Sequence, residues 1–86
     1  MPVLSKFYGI VIRIFFTNSF VPHFHASYRD HELVVGIDDL SVIQGDAPHR
    51  VREMVLEWAS DHQQELRVAW NRCKEAVSPL PIKPLE

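Results

Sequence analysis

The sequence predicts an α+β fold: a small antiparallel sheet of three to four strands, then one long helix packed on one face. The first half of the chain is rich in β-branched and aromatic residues interrupted by turn formers, whereas the second half spaces its apolar residues as a helix does. A third observation fixes the end. Ser78-Pro79 and the run "PLPIKPLE" admit no helix and predict an extended proline-rich tail. The expected layout is strands over about residues 6–44, the helix over 46–77 and the tail over 78–86, all in one domain, 1–86.

The first strand is expected from Phe7 to Phe16, "FYGIVIRIFF", with both faces at least partly covered. "TNSFVP" supplies turn chemistry, "HFHASY" reads as the second strand, and "RDHE" turns the chain into "ELVVGI". Asp38-Asp39 makes the next turn, before a shorter and weaker fourth strand, "LSVIQ".

Asp46 is expected to cap the helix, with Pro48 tolerated in its first turn because the missing N–H has no partner there. Val51, Val55, Trp58, His62, Leu66, Ala69, Cys73 and Val77 step by three or four and define one face. A straight helix over this span would run roughly 45 Å at 1.5 Å per residue. A domain of this length is only about 30 Å across. "SDHQ" offers a capping box at Ser60, but the apolar stripe keeps its phase through Ser60-Asp61 and no Gly or Pro intervenes. One long helix, with a bend allowed, is therefore favoured over two. Its overhanging Trp70 end would need a partner, or the tail, to cover it.

Residues two apart on a strand share a face. Tyr8, Ile10, Ile12, Ile14 and Phe16, then Phe24, Ala26 and Tyr28, then Leu33, Val35 and Ile37 form an apolar floor for the helix. The opposite face collects Arg13, His23, His25, Ser27, Arg29, Glu32 and Asp38. Arg13 should pair with His25 or Ser27. A two-residue turn at Asp30-His31 would set Arg29 opposite Glu32, Ser27 opposite Val34, His25 opposite Gly36 and His23 opposite Asp38.

His-Phe-His is the one stretch that invites chemistry. His23 and His25, with Asp38 as third ligand, could hold a divalent metal. Alternatively, His25 as general base beside Arg13 as anion holder would suit phosphodiester cleavage. A bare His-x-His has low specificity, and polar residues are expected on a solvent face in any case. His62 reads as a hydrogen-bonded core residue and Cys73 as a small buried hydrophobe. Trp70 reads as core or as a partner anchor.

Composition narrows the classes. The 86 residues carry a formal net charge of −2, which does not indicate a nucleic-acid-coating surface. A single cysteine, Cys73, excludes an internal disulfide and a thiolate-rich zinc site, and agrees with a reducing cytoplasm. Arg13 interrupts the apolar N-terminal run, which is too short to span a bilayer and lacks a cleavage site, so neither secretion nor membrane insertion is expected.

"FYGIVIRIFF", "PHFHASY", "VLEWASDHQQEL", a second Trp and the closing "PIKPLE" together resemble the small bacterial domain of unknown function 4160 family over nearly the whole chain. Phe7, Tyr8, Gly9, Ile10, Arg13, Pro22, His23, Phe24, His25, Ala26, Tyr28, Trp58, His62 and Trp70 carry the likeness. "TNSFV" departs from it, where many members have an acidic-His-x-Pro loop, and this lowers the enzymatic reading. The resemblance implies a bacterial cytoplasmic protein whose gene neighbours another small one, as in a toxin–antitoxin-like pair. The expectation is an interaction module without cofactor, binding a small protein partner or a second copy of itself. A His/Arg ribonuclease or metal-dependent hydrolase is the alternative.

Overall fold

The computed structural model describes residues 2–18 and 21–86. Five strands form one antiparallel sheet in simple sequence order: β1 (Val3–Phe7), β2 (Ile10–Arg13), β3 (His23–Tyr28), β4 (His31–Gly36) and β5 (Val42–Asp46). Two helices follow, α1 (His49–Asp61) and α2 (Gln63–Lys74). The sheet-and-helix class holds, with more strands and one more helix than expected.

The extra strand is β1, which ends on the first residue of "FYGIVIRIFF" and joins β2 through a hairpin turn there. Phe7 pairs with Ile10, so Tyr8 and Gly9 alone make the turn, with φ of 50° and 80°. Two successive positive φ values are the type I′ pattern that matches strand twist. Gly9 adopts this freely, but Tyr8 is an unusual first residue for it. The expected turn over Thr17–Pro22 includes Ser19 and Phe20, which lie outside the described residues.

Between β3 and β4 the turn is Arg29-Asp30, not Asp30-His31. Tyr28 pairs with His31, Ser27 with Glu32, His25 with Val34 and His23 with Gly36. Arg29 takes a φ of 53°, as the first central residue of a two-residue hairpin can. The register moves by two residues, so every side chain keeps its face while its cross-strand neighbour changes. Between β4 and β5, Ile43 is bulged out opposite the Val34–Val35 step and is 48% exposed.

The expected floor is observed except at its two ends in the first strand: Tyr8 sits in the hairpin turn, 62% exposed, and Phe16 lies beyond β2, 40% exposed. Ile10, Ile12, Ile14, Phe24, Ala26, Leu33, Val35 and Ile37 are buried against Val51, Val55, Trp58, Ala59, Leu66 and Ala69 of the helices. Trp58 is the centre of this core, its ring 5.5 Å from Phe7 and 5.9 Å from Phe24. Gln63 donates one amide group to the carbonyls of Ile37 and Asp38, at 2.7 and 2.8 Å, which ties the start of α2 to the end of β4.

The single long helix is a correction. His62, with φ −125° and ψ 24°, separates α1 from α2, and its N–H bonds back to Ala59 in a tightened last turn. The molecule measures 33 × 26 × 22 Å, too short for an unbroken helix over the expected span. Asp46 closes β5 and accepts from the Ala47 N–H, so it is not the cap; Pro48 occupies that position. α2 stops three residues before the expected limit because Ala76, at φ 59°, takes the left-handed C′ position. Val77 N–H bonds to Arg72 and Ala76 N–H to Cys73, a Schellman closure built without glycine.

Beyond α2 the tail carries no helix or strand, yet it is fixed at three points. Ser78 accepts from Arg72, the Ile82 N–H donates to Leu4 on β1 at 2.8 Å, and Lys83 accepts the Trp58 indole N–H at 2.8 Å. Ile82 is thereby a core residue, 5% exposed. Among the described residues, no helix is long and apolar enough to cross a membrane.

Candidate functional site

The candidate site lies on the sheet face turned from the helices, at the start of β3. Strand parity puts His23 and His25 there together, one pleat apart. Pairing of β2 with β3 sets Arg13 directly opposite His25, one of the two expected registers. Among the described residues, no carboxylate lies within ion-pair reach of Arg13.

Each imidazole is held through its Nδ1. His25 donates to the Glu32 carboxylate at 3.1 Å, and His23 donates to the Val21 carbonyl at 3.0 Å. Glu32 reaches His25 diagonally, because the Arg29-Asp30 turn sets it opposite Ser27. The remaining nitrogen of His25, Nε2, is buried and, among the described residues, has no hydrogen-bond partner.

Aromatic rings enclose the pair. Phe15 stacks on His25 at 4.6 Å and 17°, and His25 meets His23 edge-on at 5.4 Å. His23 lies 5.1 Å from Trp70, which in turn lies 5.3 Å from Phe16. The chain of rings therefore runs from the outer sheet face to α2 and returns through the Phe15-Phe16 dipeptide. It leaves His23 only 7% exposed although its parity is outward.

Two expected members of the site are elsewhere. Asp38 is not opposite His23, since Gly36 takes that place; its carboxylate accepts from Arg67 of α2 at 2.9 Å. Among the described residues, no three His, Cys, Asp or Glu side chains come together at metal-ligand spacing. Trp70 is not an overhanging anchor but is 7% exposed beneath Phe16 and His23. His62 sits at the helix break, its Nδ1–H donating to Glu65 at 2.7 Å and its ring 5.5 Å from Trp58.

Sequence reasoning set Glu32 on the right face but against Arg29, and it did not single out Phe15. The signal for Phe15 was its position two residues beyond Arg13, on the same parity.

A family model described as Domain of unknown function (DUF4160) matches residues 9–71, more than half of the chain. The chain belongs to the DUF4160 family. The match takes in the Tyr8-Gly9 turn from Gly9, the His23/His25 pair, Glu32, Trp58 and Trp70, and ends just short of the last turn of α2. Neither the curated proteins nor the solved structures contain a match to this DUF4160 chain.

Proposed function

We propose that this DUF4160 chain is a small interaction module, one half of a toxin–antitoxin-like pair, that binds a small protein partner through the outer sheet face. The asymmetry of the sheet supports this reading. One face lies under α1 and α2 and the tail holds the β1 edge, while the outer face carries Val3, Val11, Phe15 and Val34 among polar residues. Lys6 and Arg13 stand on its β1–β2 flank, with Glu32 and Asp46 on its β4–β5 flank. Opposite charges at two flanks orient a docking partner. Trp70, being buried, has no part in this contact.

The test is co-expression with the product of the adjacent gene, co-purification, and a growth assay of each protein alone. Val34→Arg should break the complex with the circular dichroism spectrum unchanged. A complex that survives both Val34→Arg and Arg13→Glu would sink the outer-face reading.

One observation favours a second reading. His25, held by Glu32 and facing Arg13, has the Nε2 lone pair that a general base needs, and Arg13 supplies a cation for a phosphoryl oxygen. That nitrogen is buried, so a substrate reaches it only after the side chains around it move. RNA cleavage by the isolated chain, abolished by His25→Ala, would establish this reading; absence of cleavage would remove it.

A further inference from the structure

We propose that His23 and His25 bind one borderline transition-metal ion, of the Zn²⁺ or Ni²⁺ class, through their two Nε2 atoms. Each ring's other nitrogen is already committed. His23 donates Nδ1–H to a backbone carbonyl and His25 donates Nδ1–H to a carboxylate, groups that can only accept. In the neutral form both rings are thus held in the tautomer that leaves a bare lone pair on Nε2. A backbone carbonyl and a carboxylate are also the two outer partners that metal-bound histidines ordinarily have.

The second observation is the orphaned nitrogen. Among the described residues no donor reaches the buried His25 Nε2, a costly state for an acceptor that coordination to a cation relieves. The third is the separation of the rings, 5.4 Å between centroids with planes at 65°. Two imidazoles bound to one tetrahedral ion at an N–metal distance of about 2.0–2.1 Å hold their centroids roughly 5 Å apart. Edge-on packing alone tolerates a wider range, roughly 4.5–7 Å. The distance therefore permits the site, and the fixed tautomers with the orphaned nitrogen select it.

The surroundings bear on affinity in both directions. Phe15 and Trp70 wall the pair with apolar surface and limit water. Glu32 adds a negative charge behind His25, whereas Arg13 opposite His25 opposes a cation. Asp38 is engaged with Arg67, so the protein supplies two ligands, and water or a partner's donor completes the coordination. The proposal is independent of the partner reading, and the metal-free acid–base reading survives its failure.

The experiment uses the full chain stripped with chelator and titrated with zinc alone, followed by calorimetry and by long-range ¹⁵N spectra of the imidazoles. One ion per chain is expected, with shifts at the Nε2 of His23 and His25 and none at His31, His49 or His62. His25→Gln and His23→Gln should each lower affinity at least about tenfold, and Glu32→Gln about 10- to 100-fold. Because either histidine variant could fail to fold, the wild-type ¹⁵N shifts decide the matter alone. No heat and no shift at millimolar zinc overturns the proposal. So do shifts confined to His49, exposed beside Glu53, which mark an adventitious surface complex.

Discussion

Trp58 donates its indole N–H to the carbonyl of Lys83 at 2.8 Å, so the largest fully buried side chain also fastens the C-terminal tail. One residue earlier, Ile82 fills the core and its N–H bonds to β1. Ile82→Ala should cost about 2–4 kcal/mol in urea unfolding, as buried large-to-small changes do. Trp58→Phe removes the bond and part of the ring together and should cost at least about 1–3 kcal/mol. A cost below about 0.5 kcal/mol for Ile82→Ala would mean that the tail is not part of the cooperative unit.

Gln63 and Arg67 both contact the end of β4, one turn apart on α2, but they should differ in worth. The Arg67–Asp38 pair has side chains 45% and 61% exposed, so Arg67→Ala should cost no more than about 1 kcal/mol and less in high salt. Gln63 is half-buried and serves two backbone carbonyls, one of which follows a fully buried strand end. Gln63→Ala should cost about 1–3 kcal/mol with little salt dependence. Denaturant midpoints at two ionic strengths separate the two, and equal salt sensitivity would contradict the assignment.

Asp39 caps the turn before β5. The Ser41 N–H, then the Ser41 hydroxyl, donate to its Oδ1 and hold its pKa below the ordinary 3.8. A carboxylate depressed in the fold stabilises it fully above the unfolded value of 3.8 and loses that contribution as pH falls through the folded value. Side-chain ¹³C titration should place Asp39 below the ordinary 3.8, and Ser41→Ala should move it upward. Gly36 adjoins this turn for a steric reason, since a Cβ there would lie 2.7 Å from the Asp39 Oδ1.

Cys73 is the chain's one thiol, and desolvation raises its pKa above 9.0. The fold therefore favours the neutral thiol. This contribution is complete below the unfolded pKa and is lost as pH rises through the higher folded one. Alkylation by iodoacetamide at pH 8 should be slower than for a free cysteine and should accelerate on unfolding. Cys73 is half-buried rather than the buried hydrophobe expected, and native-state modification at the rate of free cysteine would contradict even that partial shielding.

The floor of the sheet was legible because Ile12, Phe24 and Val35 each have a polar residue or glycine on at least one side, and parity survives errors of two residues. The Arg13–His25 pairing was legible for the same reason, as one of two registers that put apolar against apolar. The Glu32–His25 bond was not, since it depends on where a four-residue turn closes, and Arg29 in a left-handed conformation carries no strong sequence signal. Tyr8 and Ala76 hid their structures in the same way, each occupying a position where glycine or asparagine would have announced a turn or a helix end. The kink at His62 was obscured by a stripe that stays in phase across it, from Trp58 to Leu66.

The order of the strands has a kinetic consequence. Every strand pairs with its immediate neighbour in sequence, so the sheet assembles from local hairpins with short loops to close. The contact between Leu4 and Ile82 is the exception, joining nearly opposite ends of the chain. It has the largest loop to close and can form only after the meander and helices have provided its surface. In the native state it should also be the first to come undone. Amide exchange at Ile82 is then expected to proceed through a partial opening, at lower free energy than the exchange of Phe24 or Val35, with the five-strand meander still intact.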